Sequence, residues 1–218
     1  MLATGRPISE LADLPVNNIN FAGDITLNGQ LLLDETRHVV AGTPINEGEM
    51  EVLAQTFTSK HIPFKFIDEH GAYINYVNDT VITTQESTMG AIPSVGKYKG
   101  EKIYQIVAFV SDKERKILEV TLDECAITSW NATGIDITPK GGGKATGIKQ
   151  YLEQNNLKQE EVMAFGDGEN DIDMLKYAGI GVAMGNASAH VKACADYVTD
   201  TVDNGGILKA LQHFNLID

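Results

Sequence analysis

The chain has 218 residues, 43% hydrophobic and 22% charged, an ordinary composition for a folded protein with a sizeable core. A net charge of −13 argues against nucleic acid as a partner, because a phosphate backbone recruits Lys and Arg, but it leaves room for a small phosphorylated ligand held by a few local cations. No apolar run approaches the ~20 residues of a membrane span, no charged-then-apolar signal peptide opens the chain, and Cys125 and Cys194 stand far apart with no CxxC, so a reduced, cytoplasmic protein without membrane contact is expected.

The first residues, MLATGRPISEL, read as a strand end, a Thr4-Gly5 turn and a helix beginning near Pro7. Such a corner can take an anion, with Thr4 donating its hydroxyl and Arg6 meeting a phosphate or sugar oxygen. The same residues equally make a plain turn. Further on, Met50, Leu53, Ala54 and Phe57 recur at helical spacing, and the runs Phe64–Ile67 and Ala72–Val77 follow as strands. A strand at Ile103–Val110 precedes a helix near Asp112–Leu122, capped by Ser111 or Asp112, and strands at Cys125–Trp130 and Gly134–Thr138 come after it. Helix, strand, strand thus occurs twice, which predicts an inserted α+β unit with a mostly antiparallel sheet, bounded near Thr43 and Thr138.

The glycine-rich PKGGGK then returns the chain to a different pattern. A helix opens at Lys144 with Ile148, Tyr151 and Leu152 on its apolar face. Strands at Glu161–Phe165, Ile180–Met184 and Tyr197–Thr199 alternate with helices at about Asp171–Ala178, Ala187–Ala195 and Gly206–Phe214. Apolar strands separated by amphipathic helices indicate a parallel sheet covered on both faces, with ligands beyond the carboxyl ends of its strands.

Asp167 sits at such an end, in GDGENDIDML, where three aspartates and a glutamate fall within seven residues. Gly166 and Gly168 allow a sharp turn and a close approach to a ligand. Asp167 and Asp171 can both face a hard cation, and Mg²⁺ takes one or two carboxylates with waters and phosphate oxygens. Asp173 reads as a solvated acid offsetting the helix dipole. Asn170 can cap the helix or donate to a phosphate. Lys144 is a cation at a helix N-terminus, which is unfavourable unless an anion lies nearby, either a phosphate or the acidic loop; Lys149 reads as solvated. A nucleotide P-loop fails at Thr138 and Ala145, no G-x-S-x-G is present, and the five histidines show no ligand spacing. Trp130 reads as core, with contact to a sugar as the alternative.

Taken in order, LATGRP, ITLNG, DITPKGGGKATGI, FGDGENDIDML, GVAMGNA and ADYVT resemble the haloacid dehalogenase-like superfamily, specifically its Cof-type sugar-phosphate phosphatases, over essentially the whole chain. The resemblance implies an α/β fold, with a parallel-sheet core from residues 1–43 and 139–218 and an α+β cap from 44–138. It implies a Mg²⁺-dependent hydrolase of small phosphorylated metabolites working through an aspartyl-phosphate. Thr4 looks like the hydroxyl that holds the phosphoryl group, within a substrate-binding set of Thr4, Gly5, Arg6, Lys144 and Asn170. Lys144 looks like the charge-neutralising lysine, and Asp167 and Asp171 like the acids that hold Mg²⁺.

One family motif is missing. The nucleophile is the first aspartate of a D-x-D-G-T strand ahead of the Thr-Gly-Arg corner, and neither Asp171–Asp173 nor GDITLNG replaces it. The chain therefore reads as a member shortened by one β–α unit, on the order of 30 residues, inactive as it stands and with unpaired sheet edges that favour self-association. The alternative is a non-catalytic phosphosugar-binding or regulatory module.

Overall fold

A computed structural model describes residues 1–13, 15–16, 19–87 and 90–218. The fold is α/β, and it divides into two compact units, Met1–Gly142 and Gly143–Asp218.

In the first unit, β1 (Leu2–Ala3) pairs parallel with β2 (Gly23–Thr26). β2 then pairs antiparallel with β3 (Leu31–Asp34), and β3 with β4 (Val39–Gly42). Residues 1–43 thus carry one parallel pair and then a meander. A parallel partner needs a crossover of a dozen or more residues, whereas β2 and β3 are joined by Leu27–Gly29, whose φ values of 51, 55 and 97° turn the chain straight back. The helix expected near Pro7 is a 3₁₀ segment at Ile8–Asp13.

The larger sheet of this unit is the antiparallel one. α1 (Glu47–Ser59) starts where the Asn46 side chain accepts the Glu49 N–H at 2.9 Å, and it ends at Lys60 in the left-handed region. It buries Met50, Leu53 and Phe57. β5 (Phe64–Ile67), β6 (Ala72–Ile74), β7 (Gln105–Phe109), β8 (Cys125–Ser129) and β9 (Gly134–Pro139) assemble in the order β6-β5-β7-β9-β8, antiparallel throughout. α2 (Asp79–Ser87) interrupts the expected repeat. Its β-branched run, Thr80 to Thr84, hides the helix from a propensity reading; the Asn78 side chain accepts the Val81 N–H at 3.0 Å at its start. α3 (Asp112–Thr121) has a reciprocal Ser111/Glu114 capping box.

Asn75 joins these elements. It is buried, its Oδ1 accepts the N–H of Phe64 and of Tyr76, and its Nδ2 donates to the carbonyls of Phe57 and Ile62. Asn75→Ala would leave four backbone groups to find new partners, at roughly 2–4 kcal/mol. Thermal melting is expected to fall by roughly 2–4 °C for each of those kcal/mol; an unchanged midpoint would show that water replaces the side chain.

In the second unit, α4 (Lys144–Asn155) leads to β10 (Met163–Gly166), α5 (Ile172–Tyr177), β11 (Ile180–Ala183), α6 (Ala189–Lys192), β12 (Tyr197–Val198) and α7 (Gly206–His213). The strands form a parallel sheet in the order β10-β11-β12. α6 is shorter than the predicted Ala187–Ala195 because Ser188 caps it by accepting the Val191 N–H. β1 and β10 each lie at one end of their sheets. Among the described residues no helix is long and apolar enough to cross a membrane.

Candidate functional site

β10 delivers the chain to Asp167, one residue past the end of the strand, as the pattern predicted. Neither flanking glycine is in the left-handed region. Their need is space rather than a special φ. A Cβ on Gly166 would stand 2.5 Å from the Asp171 Cβ, and one on Gly168 would stand 2.5 Å from the Asn170 Oδ1. The loop folds tightly over its own acids.

Asp171 is the buried centre of that loop, 5% exposed. Its Oδ1 accepts the Lys144 ammonium at 2.6 Å, and its Oδ2 accepts the N–H groups of Asp167 and Gly168 at 2.9 Å each. Lys144 is buried beside it. Of the two anions that could compensate this lysine, the structure places the acidic loop there. Charge-assisted bonds in a dry site are strong, and here they tie the start of α4 to the loop after β10.

Asp173 is not the solvated acid expected. Its Oδ2 accepts the Ala145 N–H at 3.0 Å and its Oδ1 the Met174 N–H at 2.8 Å. Gly143, the residue before α4, has no side chain to cap that helix, and a Cβ there would collide with the Asp173 Oδ2. Asp173 supplies the missing cap from α5. Two carboxylates therefore offset an otherwise unfavourable lysine at a helix N-terminus.

Of the two acids expected to face a cation, Asp171 has both oxygens engaged within the protein, so Asp167 alone turns outward. It is exposed, and its Oδ2 accepts the Asn186 amide at 2.6 Å. Asn170 is exposed in the same loop. Asn186 was missed by the reading from sequence, although an amide just past the end of β11 occupies the position where such sheets bind ligands. A second clamp lies alongside: Glu169 accepts from the Ser188 hydroxyl at 3.1 Å and pairs with His190 Nδ1 at 2.8 Å. The loops after β10 and β11 are thus held together at Asp167 and at Glu169.

Among the described residues no three His, Cys, Asp or Glu side chains converge into a closed cage. Asp167 is the outward carboxylate of the loop, and Mg²⁺ takes one or two such groups and completes its shell with water and phosphate oxygens. Asp167 offers a hard oxygen of the right kind.

In the first unit, the Thr4 N–H donates to the Ile25 carbonyl at 2.8 Å, and the Arg6 N–H donates to the Thr4 hydroxyl at 3.2 Å. In that turn the Thr4 hydroxyl serves as an acceptor, and among the described residues its O–H has no acceptor of its own. Gly5 lies against the Asn28 side chain, where a Cβ would meet Oδ1 at 2.9 Å. Arg6 is exposed and reaches Glu10 at 3.4 Å. A 3₁₀ segment follows instead of an α-helix, so aligned helix amides do not add to this corner.

Comparison with known proteins shows the family. Residues 1–211 match the family described as haloacid dehalogenase-like hydrolase. The Bacillus subtilis (strain 168) protein named "Putative phosphatase YkrA" is 32% identical over 206 residues, covering 88% of this chain and 76% of that protein. The structure of BT1666 from Bacteroides thetaiotaomicron, a phosphatase of the same superfamily, superimposes with a TM-score of 0.86 and 32% identity over 99% of this chain and 81% of its own. The subclass IIB sugar phosphatase BT4131 does so with a TM-score of 0.80 and 35% identity, over 99% and 85%. With a family model matched over residues 1–211 and relatives at 32–35% identity along most of its length, the chain belongs to the haloacid dehalogenase-like hydrolases, among the Cof-type phosphatases.

Proposed function

We propose that this chain binds a small phosphorylated metabolite of the sugar-phosphate class together with Mg²⁺, and that residues 44–138 form a cap on a core of residues 1–43 and 139–218. The observation that carries the reading is the buried Lys144–Asp171 pair beneath a loop that turns Asp167 outward. Asp167 would hold Mg²⁺, which when bound offsets charge on phosphoryl oxygens. Asp171 acts from behind. It fixes the Lys144 ammonium, which keeps further N–H groups to give to a phosphate oxygen. Thr4 donates its free O–H to the phosphoryl group, Arg6 meets an outlying oxygen, and Asn170 donates from the loop. Asn186 keeps the Asp167 carboxylate aimed.

Calorimetric titration with Mg²⁺ tests the metal assignment without needing turnover. Asp167→Asn is expected to weaken binding at least about tenfold, the low end of what even an outer-shell partner costs. Asn186→Ala is expected to cost less, and Asp203→Asn, an exposed acid elsewhere in the same unit, to change nothing. Equal effects at Asp167 and Asp203 would mean that Mg²⁺ responds only to net charge.

A further inference from the structure

Of the three aliphatic side chains on α3, only Leu118 reaches the core. Ile117 is 55% exposed and Val120 80%, the most exposed large apolar side chain among the described residues. Helical spacing sets both on one outer stripe with Lys113, Lys116 and Thr121, and these five line an open, mostly apolar groove along the helix. β-branched residues are restricted at χ1 in a helix, and here no burial compensates for that restriction.

The stripe is unlike in charge at its two ends. Lys113 and Lys116 flank its start, and Asp123 and Glu124 are exposed just past its end. The other charges of the helix are engaged among themselves. Glu114 closes the capping box on Ser111, and Arg115 lies 3.8 Å from Asp112 and 3.8 Å from Glu119. Lys140, near the far end, donates to the Asp123 carbonyl at 3.1 Å. An apolar strip with a cation at one end and an acid at the other is complementary to itself turned end for end.

We propose that α3 is a docking face for a second copy of this chain, paired antiparallel across a two-fold axis that passes between Ile117 and Val120. The axis sets Ile117 of each copy against Val120 of the other and takes both out of water. Lys113 stands four residues before Ile117, and Glu124 four residues after Val120. The same axis therefore brings Lys113 of one copy to Glu124 of the other, and does so twice. Lys116 and Thr121 meet in the same way. The Thr121 hydroxyl donates to the Ile117 carbonyl at 2.8 Å, which leaves its oxygen to accept from an ammonium.

A second copy answers both ends of the stripe, whereas an unrelated acidic partner would meet the lysines and be repelled by Asp123 and Glu124. The face is small. A ten-residue helix is about 15 Å long and about 10 Å across, short of the ~800 Å² that each partner buries in a stable interface. The dimer is accordingly weak, and its population grows with protein concentration.

Sedimentation equilibrium of the 218-residue chain from about 1 µM to about 1 mM tests this. The mean mass is expected to rise from that of a monomer towards twice that value. Val120→Ser is expected to weaken association at least about tenfold, since each dimer loses two apolar contacts at its axis. Lys113→Glu and Glu124→Lys are each expected to hold the chain monomeric over the same range, because each sets like charges opposite one another twice. These two shift the net charge in opposite directions, so a loss common to both is not an effect of total charge. Mixed in equal amounts, they are expected to recover association at the wild-type level, because a cation again faces an acid at both ends of the mixed dimer. All three positions are exposed, and circular dichroism checks that each variant keeps its fold. A chain that stays monomeric up to about 1 mM, a dimer untouched by Val120→Ser or by either charge reversal, or a mixture that stays monomeric would each overturn the proposal. A dimer that survives all three substitutions would overturn it too, and would move self-association to the end strands β1 and β10.

Discussion

Turnover of p-nitrophenyl phosphate with Mg²⁺ by the 218-residue chain is expected to stay at background. Phosphoryl transfer through a covalent intermediate needs a carboxylate placed in line with the leaving oxygen. The described carboxylates of the acidic loop and of the first strands have other commitments. Asp171 is tied to Lys144 and two amides, and Asp173 caps α4. On the first unit, Glu10 pairs with Arg6 and Lys65, and Asp24 is buried against Arg37. Asp167, which turns outward, is the proposed metal ligand. Lysine and metal lower the barrier for a nucleophile without taking its place. A fusion that supplies a D-x-D-G-T strand ahead of the Thr4 corner should raise turnover by on the order of 10⁴-fold or more, and Asp→Asn at the first aspartate of that strand should remove the gain. Mg²⁺-dependent turnover by the 218 residues alone, surviving purification from contaminating phosphatase, would mean that one of these acids attacks phosphorus after all.

What could be read in advance follows a physical division. β5 was legible to the residue, Phe64–Ile67, because Phe64 and Phe66 alternate with Lys65 in a run too short for a helix. β10 begins two residues later than expected, since Gln159–Glu161 closes a 3₁₀ turn ahead of it. α2 was hidden by its β-branched residues. Lys144 announced a need for an anion through its place at a helix start, yet two anions answered that need equally, and only coordinates separate them. Asp173 looked solvated because acids in a first helical turn usually are. Its role is set by Gly143, whose missing side chain leaves α4 uncapped from 30 positions away in sequence. The contact of Asn186 with Asp167 is a long-range juxtaposition made by strand order and register: position past β11 marks the amide, and no local pattern gives its partner.

The Lys144–Asp171 pair is expected to hold the second unit together as well as serve its site. Both groups are buried and meet at 2.6 Å. Removing one partner of such a pair leaves an uncompensated charge in a dry place, at about 3–5 kcal/mol. The two removals should differ. Lys144→Met leaves a carboxylate still accepting the Asp167 and Gly168 N–H groups, so part of its charge remains solvated by the loop. Asp171→Asn keeps an oxygen for those amides but turns an N–H group toward the lysine ammonium, which then has no counter-charge. The second variant should be the less stable, with a melting temperature lower by roughly 2–4 °C per kcal/mol. In the double variant the buried charge is gone from both sides, and much of the loss should be recovered. The double-mutant cycle is expected to return a coupling of at least about 1.5 kcal/mol, within the range for residues in direct contact. Lys149→Ala, on an exposed residue of the same helix, should stay within about 0.5 kcal/mol. Additive effects at Lys144 and Asp171 would show that the two charges are held by water and not by each other, and Lys144 would then lack the fixed position from which it is proposed to meet a phosphate.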